Sequence, residues 1–108
     1  MKKIDLSEFL KSTQIDGVIV LDKEGTVIEE SGMPKKNSVG AMLAVINQMI
    51  VEFTEEIDMG FTKKIIIKCD ERVFVVVRIE GFIIGVYSKD ISKSGIITAS
   101  IDKLIKVN

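Results

Sequence analysis

The chain has 108 residues, with 15 Lys plus Arg against 16 Asp plus Glu, one cysteine, and neither histidine nor tryptophan. That length allows one domain with a real core and leaves no room for a second with a deep cleft between them, so residues 1–108 are expected to form a single unit. A formal charge of −1, with Arg72 and Arg78 as the only arginines, gives no field for nucleic acid; without histidine there is no Ser-His or Cys-His pair, and one cysteine makes no zinc cluster.

The opening Met1-Lys2-Lys3 carries the charge of a signal peptide's start, but Asp5 and Glu8 interrupt the apolar segment before it develops. No stretch approaches the length needed to span a bilayer, so no membrane insertion is expected. A lone cysteine in an isoleucine-rich chain with many Lys and Glu fits a reducing, cytoplasmic setting. Ile4, Leu6, Phe9 and Leu10 recur at helical spacing, with Asp5 and Glu8 early, where the helix dipole favours them; this predicts a first helix from Ile4 to Lys11. Gly17 to Leu21 predicts a strand, Asp22-Lys23-Glu24-Gly25 a tight turn and Thr26 to Glu29 a second strand, together a hairpin. Ser31-Gly32-Met33-Pro34 breaks the pattern and leads to Asn37 or Ser38 as the N-cap of a long helix.

That long helix, from Val39 to Met59, carries more apolar surface than one sheet face can bury. At about 100° per residue, Val39, Leu43, Ile46, Ile50, Phe53 and Ile57 fall on one stripe, with Met42, Val45 and Met49 widening it. Asn47, Gln48, Glu52, Glu55 and Glu56 take the remainder, where they read as a solvated face. The apolar arc exceeds the roughly 100° that a singly packed helix needs. Either the helix is sunk between two elements of its own chain, or the surplus flank meets a partner.

After Met59-Gly60 ends the helix, Lys63 to Cys69 predicts a third strand, Asp70-Glu71-Arg72 a turn, and Val73 to Ile79 and Phe82 to Tyr87 the fourth and fifth strands. The last two lack polar alternation, so they are buried on both faces and need helices on both sides of the sheet. Cys69 reads as core filler closing Ile65-Ile66-Ile67, and Tyr87 as core or rim. Ser94 to Lys106, with Ile97, Ile101, Leu104 and Ile105 on one face, predicts a third helix after the Asp90-Ile91-Ser92 loop. The expected class is α+β: a three-layer sandwich with one five-stranded antiparallel sheet and element order α-β-β-α-β-β-β-α.

In such a meander the third strand pairs with the fourth and leaves its other side open. An open apolar edge is a hazard unless covered or paired. Lys63, Lys64 and Lys68 could blunt it, but pairing with the same strand of a second copy accounts better for three successive isoleucines. A two-fold axis there would also bring the long helices together. The expected homodimer interface is therefore Met42, Val45, Met49, Lys64, Ile66 and Lys68.

The chain resembles the Roadblock family of dynein light chains and their bacterial and archaeal relatives over essentially its whole length. The residues that carry the resemblance begin with Ile15-Asp16-Gly17-Val18-Ile19-Val20-Leu21-Asp22-Lys23-Glu24-Gly25-Thr26-Val27-Ile28, similar to the family's opening of hydrophobic strand, Asp-x-x-Gly and hydrophobic strand. The long helix, Val73 to Ile79 followed by Gly81 and a second apolar strand, and the Ser94-Gly95-Ile96-Ile97 entry to the last helix complete it. The resemblance implies a profilin-like or longin-like α/β/α sandwich that homodimerises through its second helix and third strand. It also implies a scaffold or regulator for small Ras-like GTPases, or a subunit of motor or signalling complexes, with no covalent chemistry of its own and no cofactor. Gly40 departs from the pattern and loosens the start of the helix by up to about 1 kcal/mol relative to Ala.

No G-x-x-x-x-G-K-[ST] or G-x-G-x-x-G occurs, so the chain is a poor candidate for a GTPase itself. Arg72 or Arg78 could be imagined as an arginine finger, but nothing in their sequence surroundings distinguishes them. The alternative to a GTPase-binding scaffold is a small-molecule-sensing sandwich without catalytic activity. Densely apolar strands argue against it, since pockets need a few convergent polar groups.

Overall fold

The computed structural model describes residues 15–107. Its elements run β1 (Gly17–Leu21), β2 (Val27–Ser31), a long helix (Lys36–Glu56), β3 (Lys64–Cys69), β4 (Arg72–Ile79), β5 (Phe82–Ser88), a 3-10 turn (Ile91–Lys93) and a last helix (Ser94–Val107). The five strands form one antiparallel sheet in the order β2-β1-β5-β4-β3. This is the expected α+β architecture. The helix expected over Ile4 to Lys11 lies outside the described residues, and so do the side chains of Leu104 and Ile105.

Strands apolar at every step do bury both faces. Val18, Val20, Val73, Val75, Val77, Ile79, Ile84 and Val86 form one face and pack with Ile97 and Ile101 of the last helix. Ile19, Leu21, Val76 and Ile83 form the other, under Leu43 of the long helix and Met33. Each such residue contributes about 1.5–3 kcal/mol through burial, which is why the sheet needs a layer on either side. Turn chemistry fixes the register. The Asp22 carboxylate accepts the backbone N–H groups of Glu24 (3.0 Å) and Thr26 (2.9 Å), closing the β1–β2 turn as its sequence implies. At Glu80-Gly81 both residues take positive φ (50° and 85°), which the two-residue link between Ile79 and Phe82 demands. Asp90 caps the 3-10 turn, and its carboxyl is held below the ordinary value by hydrogen bonds from the Ser92 hydroxyl and then the Ser92 N–H.

The long helix sits about three residues earlier than its sequence suggests. Its N-cap is Lys35, left-handed at φ 47° and without a side-chain cap, rather than Asn37 or Ser38. Met33 is buried beneath the helix, so the chain turns at Pro34-Lys35 and helical geometry begins at once. At the other end Asp58 takes the left-handed position (φ 56°), Met59 N–H reaches Thr54 O (2.8 Å) and Asp58 N–H reaches Glu55 O (3.1 Å). That pair of bonds is a Schellman closure with Asp where glycine is usual, and it ends the helix before Met59-Gly60. Cys69, expected in the core, is exposed, because it ends the outermost strand just ahead of the Asp70 turn.

Two glycines set how closely the long helix approaches the sheet. A Cβ on Gly40 would lie 2.9 Å from Val27 Cγ2 and 3.2 Å from Leu21 Cδ2, so the residue that loosens the helix is also a point of closest approach. Gly85, in central strand β5, receives the Phe74 ring and Leu43: a Cβ there would meet them at 2.8 Å and 3.0 Å. Gly85→Ala should therefore destabilise the fold by about 1–3 kcal/mol, overpacking outweighing the gain of at most about 1 kcal/mol from removing a strand glycine. Urea unfolding of the two proteins measures it; an unchanged midpoint contradicts this account of the helix seat.

Candidate functional interface

The long helix rests on the sheet through Gly40, Leu43, Asn47 and Thr54, all buried. Asn47, read from the sequence as solvent-facing, therefore points inward. The opposite consequence falls on the apolar residues: Met42, Val45, Met49 and Phe53 are 57–62% exposed, and Ile46 and Ile57 are exposed too. The arc left uncovered is wider than the Met42-Val45-Met49 flank, since Ile46, Phe53 and Ile57 belong to a stripe in which only Leu43 is a buried residue.

Beside this face lies the edge of the sheet. β3 pairs only with β4, and among the described residues no strand pairs its outer side. Alternation then divides its side chains. Ile65 and Ile67 share the face of the long helix; Ile65 packs against its core cluster, and Ile67 lines a groove of about 250 Å³ with Val39, Met42, Leu43, Ile46 and Phe74. Lys64, Ile66 and Lys68 alternate to the face of the last helix, where Lys64 Nζ pairs with Asp102 at 3.2 Å. The six residues expected at an interface are thus split. Met42, Val45 and Met49 share one exposed surface; Lys64, Ile66 and Lys68 lie on the opposite face of the sheet, and only the β3 backbone edge is common to both. Ile46, Phe53 and Ile67 extend the helix-side surface, and the period of two within Ile65-Ile66-Ile67 is the signal that separates Ile67 from Ile66.

The loop from the helix to β3 carries Phe61, 93% exposed. It is anchored by the Thr54 and Thr62 hydroxyls, 3.0 Å apart, while Thr54 Oγ1 also donates to Val51 O (3.0 Å). Phe61, Thr62, Thr54, Glu55, Asp58 and Arg78 line a cleft of about 410 Å³ at this end of the helix. Arg72, the other arginine, donates to Tyr87 Oη (2.7 Å) across the β4–β5 pair and so belongs to the packing of the sheet. Glu55, Glu56 and Asp58 are exposed, as a solvated face should be. Among the described residues no group of three or more Cys, Asp or Glu side chains is placed to hold a metal ion, and no helix is long and apolar enough to cross a membrane.

An antiparallel five-stranded sheet between helices, its β3 edge unpaired among the described residues and one face of the long helix exposed, is an α+β sandwich of the profilin-like class. Residues 1–88 match the Roadblock/LC7 domain family, and the chain belongs to it. No curated protein matches the chain in sequence. Among solved structures it is similar to MglB of Myxococcus xanthus (16% identity, 93% of this chain and 88% of that one, TM-score 0.83). It is also similar to the gliding protein MglB of Thermus thermophilus (12%, 91% and 78%, TM-score 0.80). A Roadblock/LC7 domain from Streptomyces avermitilis aligns over 98% of this chain and 94% of that one (13%, TM-score 0.79). At these identities the likeness is one of fold.

The hydroxyl pair offers a direct check on the loop. Thr54→Val keeps the shape but removes both of its hydrogen bonds and leaves Thr62 without one it now shares; it should cost about 1 kcal/mol and speed amide exchange between Phe61 and Lys63. Unaltered exchange there would show that the loop is held by something else.

Proposed function

We propose that this domain is a non-catalytic homodimeric scaffold that binds a small Ras-like GTPase, or a subunit of a motor or signalling complex, and modulates its partner through binding alone. The observation that carries the reading is the uncovered apolar face of the long helix lying beside the open edge of β3. A two-fold axis beside Ile66 and Ile67 would join two sheets edge to edge and set the two helices side by side above them. Both excesses would be covered at once, and the paired helices would form a platform that neither copy has alone. Membership of the Roadblock/LC7 family supports a regulatory scaffold; the resemblance to that family is what points to a Ras-like partner. The interior between long helix and sheet is filled by Leu21, Leu43, Val76 and Ile83, which favours this reading over one in which a small molecule is held there.

Modulation without reactive groups has one route. A scaffold that binds the GTP-loaded and GDP-loaded forms unequally shifts its partner's equilibrium by that difference in affinity and by no more.

Two measurements bear on this. Sedimentation equilibrium should find the protein dimeric, and Met49→Glu should raise the dissociation constant at least about 100-fold, because it places a charge in the apolar contact. Ile66→Glu should do the same by setting two carboxylates together near the axis. A variant that remains a tight, native-like dimer contradicts the placement. Pull-down of Ras-like GTPases loaded with GDP or a GTP analogue should show preference for one state, and equal capture of both removes the switch-reading role.

A further inference from the structure

The side chains along β3 restrict how its open edge can receive a second copy. Ile65 and Ile67 share the face of the long helix, while Lys64, Ile66 and Lys68 share that of the last helix, opposite Val77, Val75 and Val73 of β4. The two-residue turn Asp70-Glu71 closes on Cys69 and Arg72, which makes that pair a hydrogen-bonded one. Alternation then turns the peptide groups of Lys64, Ile66 and Lys68 outward, to the open edge.

When two copies join there with both long helices on one side, residues directly opposite must share a face. The two-fold axis therefore passes between a residue and its own counterpart, which within the isoleucine run leaves Ile65, Ile66 or Ile67. Centred on Ile65, the ladder sets Lys63 against Ile67 and Lys64 against Ile66. Centred on Ile67, it sets Cys69 against Ile65 and Lys68 against Ile66. Only at Ile66 does every isoleucine meet an isoleucine: Ile66 its counterpart on one face, and Ile65 with Ile67 on the other. That register has one cost, since it sets Lys64 opposite Lys68, and like charges directly opposite are destabilising.

The last helix holds the means of relieving it. Lys64 Nζ pairs with Asp102 Oδ1 at 3.2 Å, and the Asp102 side chain is still 53% exposed. Lys68 is exposed and, among the described residues, has no ion pair. In this register the Cβ atoms of Lys64 and of Lys68 of the other copy stand about 5.5 Å apart, so a carboxylate that holds one ammonium lies within reach of the other.

We propose that β3 pairs with β3 of a second copy with Ile66 opposite itself, and that Asp102 of each copy, while holding its own Lys64, receives Lys68 of the other. The proposal rests on the edge-paired dimer above and adds to it a contact from the last helix, on the side of the sheet away from the long helix. Lysine stems then flank the two Ile66 side chains, and their charges close on Asp102. A slip of the axis to Ile67 carries Lys68 away from Asp102, so the bridge specifies register where an apolar edge alone would tolerate several.

Cysteine pairs read the register. In a Cys69→Ser background, Ile65→Cys and Ile67→Cys mixed under mild oxidation should give a disulfide-linked heterodimer while neither links to itself. Directly opposite residues of a non-hydrogen-bonded pair are close enough for a disulfide, and those two positions out of step exceed the roughly 7 Å it can span. Self-linking of either variant alone overturns the register and leaves the edge-paired dimer standing; a dimeric protein with no link in any combination overturns edge pairing itself, and a monomeric parent overturns both. Asp102→Asn and Lys68→Met should each raise the dimer dissociation constant about 3- to 10-fold, less at about 1 M salt, and the double variant should lose no more than the larger single loss. Losses that add in the double variant overturn the cross-copy ion pair.

Discussion

The fold depends on one constraint: β1, β4 and β5 carry apolar residues on both faces, so the sheet must be covered on both sides. The last helix meets that demand on one side with Ile97 and Ile101, both fully buried. On the other side the long helix meets it economically. It contacts the sheet through a glycine, one leucine, an asparagine and a threonine, and keeps most of its large apolar residues out. Close approach makes this possible. Small residues at Gly40 and Gly85 let Leu43 and the Phe74 ring reach into the layer between helix and sheet, so a few side chains suffice to seal it.

This seat explains an arrangement that hydrophobic periodicity would reverse. Periodicity locates the centre of the apolar arc, and a helix with one partner buries that centre. Here the buried residues Gly40, Leu43, Asn47 and Thr54 lie to one side of it, and Met42, Met49 and Phe53 lie near its middle. The helix thus turns its strongest apolar stripe away from its own sheet, and in the proposed dimer that stripe would supply the second contact. The same asymmetry appears in β3, where Ile65 packs beneath the helix while Ile66 and Ile67 stay exposed on opposite faces.

Strands and hairpins are legible in the sequence because their signals are local. Gly17 to Leu21 is bounded by Asp22-Lys23-Glu24-Gly25, and the carboxylate of Asp22 closes that turn by itself. Helix ends are less legible because nonlocal packing decides them: burial of Met33 starts the long helix at Lys36, and a left-handed Asp58 ends it where a glycine would have been the readable sign. The candidate interface is half legible. A surplus of apolar area can be counted from composition along the helix, but the rotation of that helix cannot, because nothing in the sequence marks Asn47 as inward. For the same reason the sequence points to Ile66 ahead of Ile67. Three isoleucines in a row hide the alternation that decides which one shares a surface with Met42.

In the proposed scaffold the surface of the domain does the work. The electrostatics of the long helix then matter beyond stability. Lys35 and Lys36 at its start and carboxylates at its end oppose its dipole, each such charge near a terminus costing about 0.3–1 kcal/mol at low ionic strength, and Glu30, 3.6 Å from Lys36, offsets part of it. Such a cost is tolerable when the same charges select how a second helix docks, since like ends repel in the parallel arrangement and opposite ends attract in the antiparallel one. Apolar area alone would make the helix face adhesive in any orientation; the inverted charges give it a direction. In the proposed dimer that direction is the one an antiparallel β3 pairing requires, so edge, helix face and charge pattern favour a single geometry instead of a family of them.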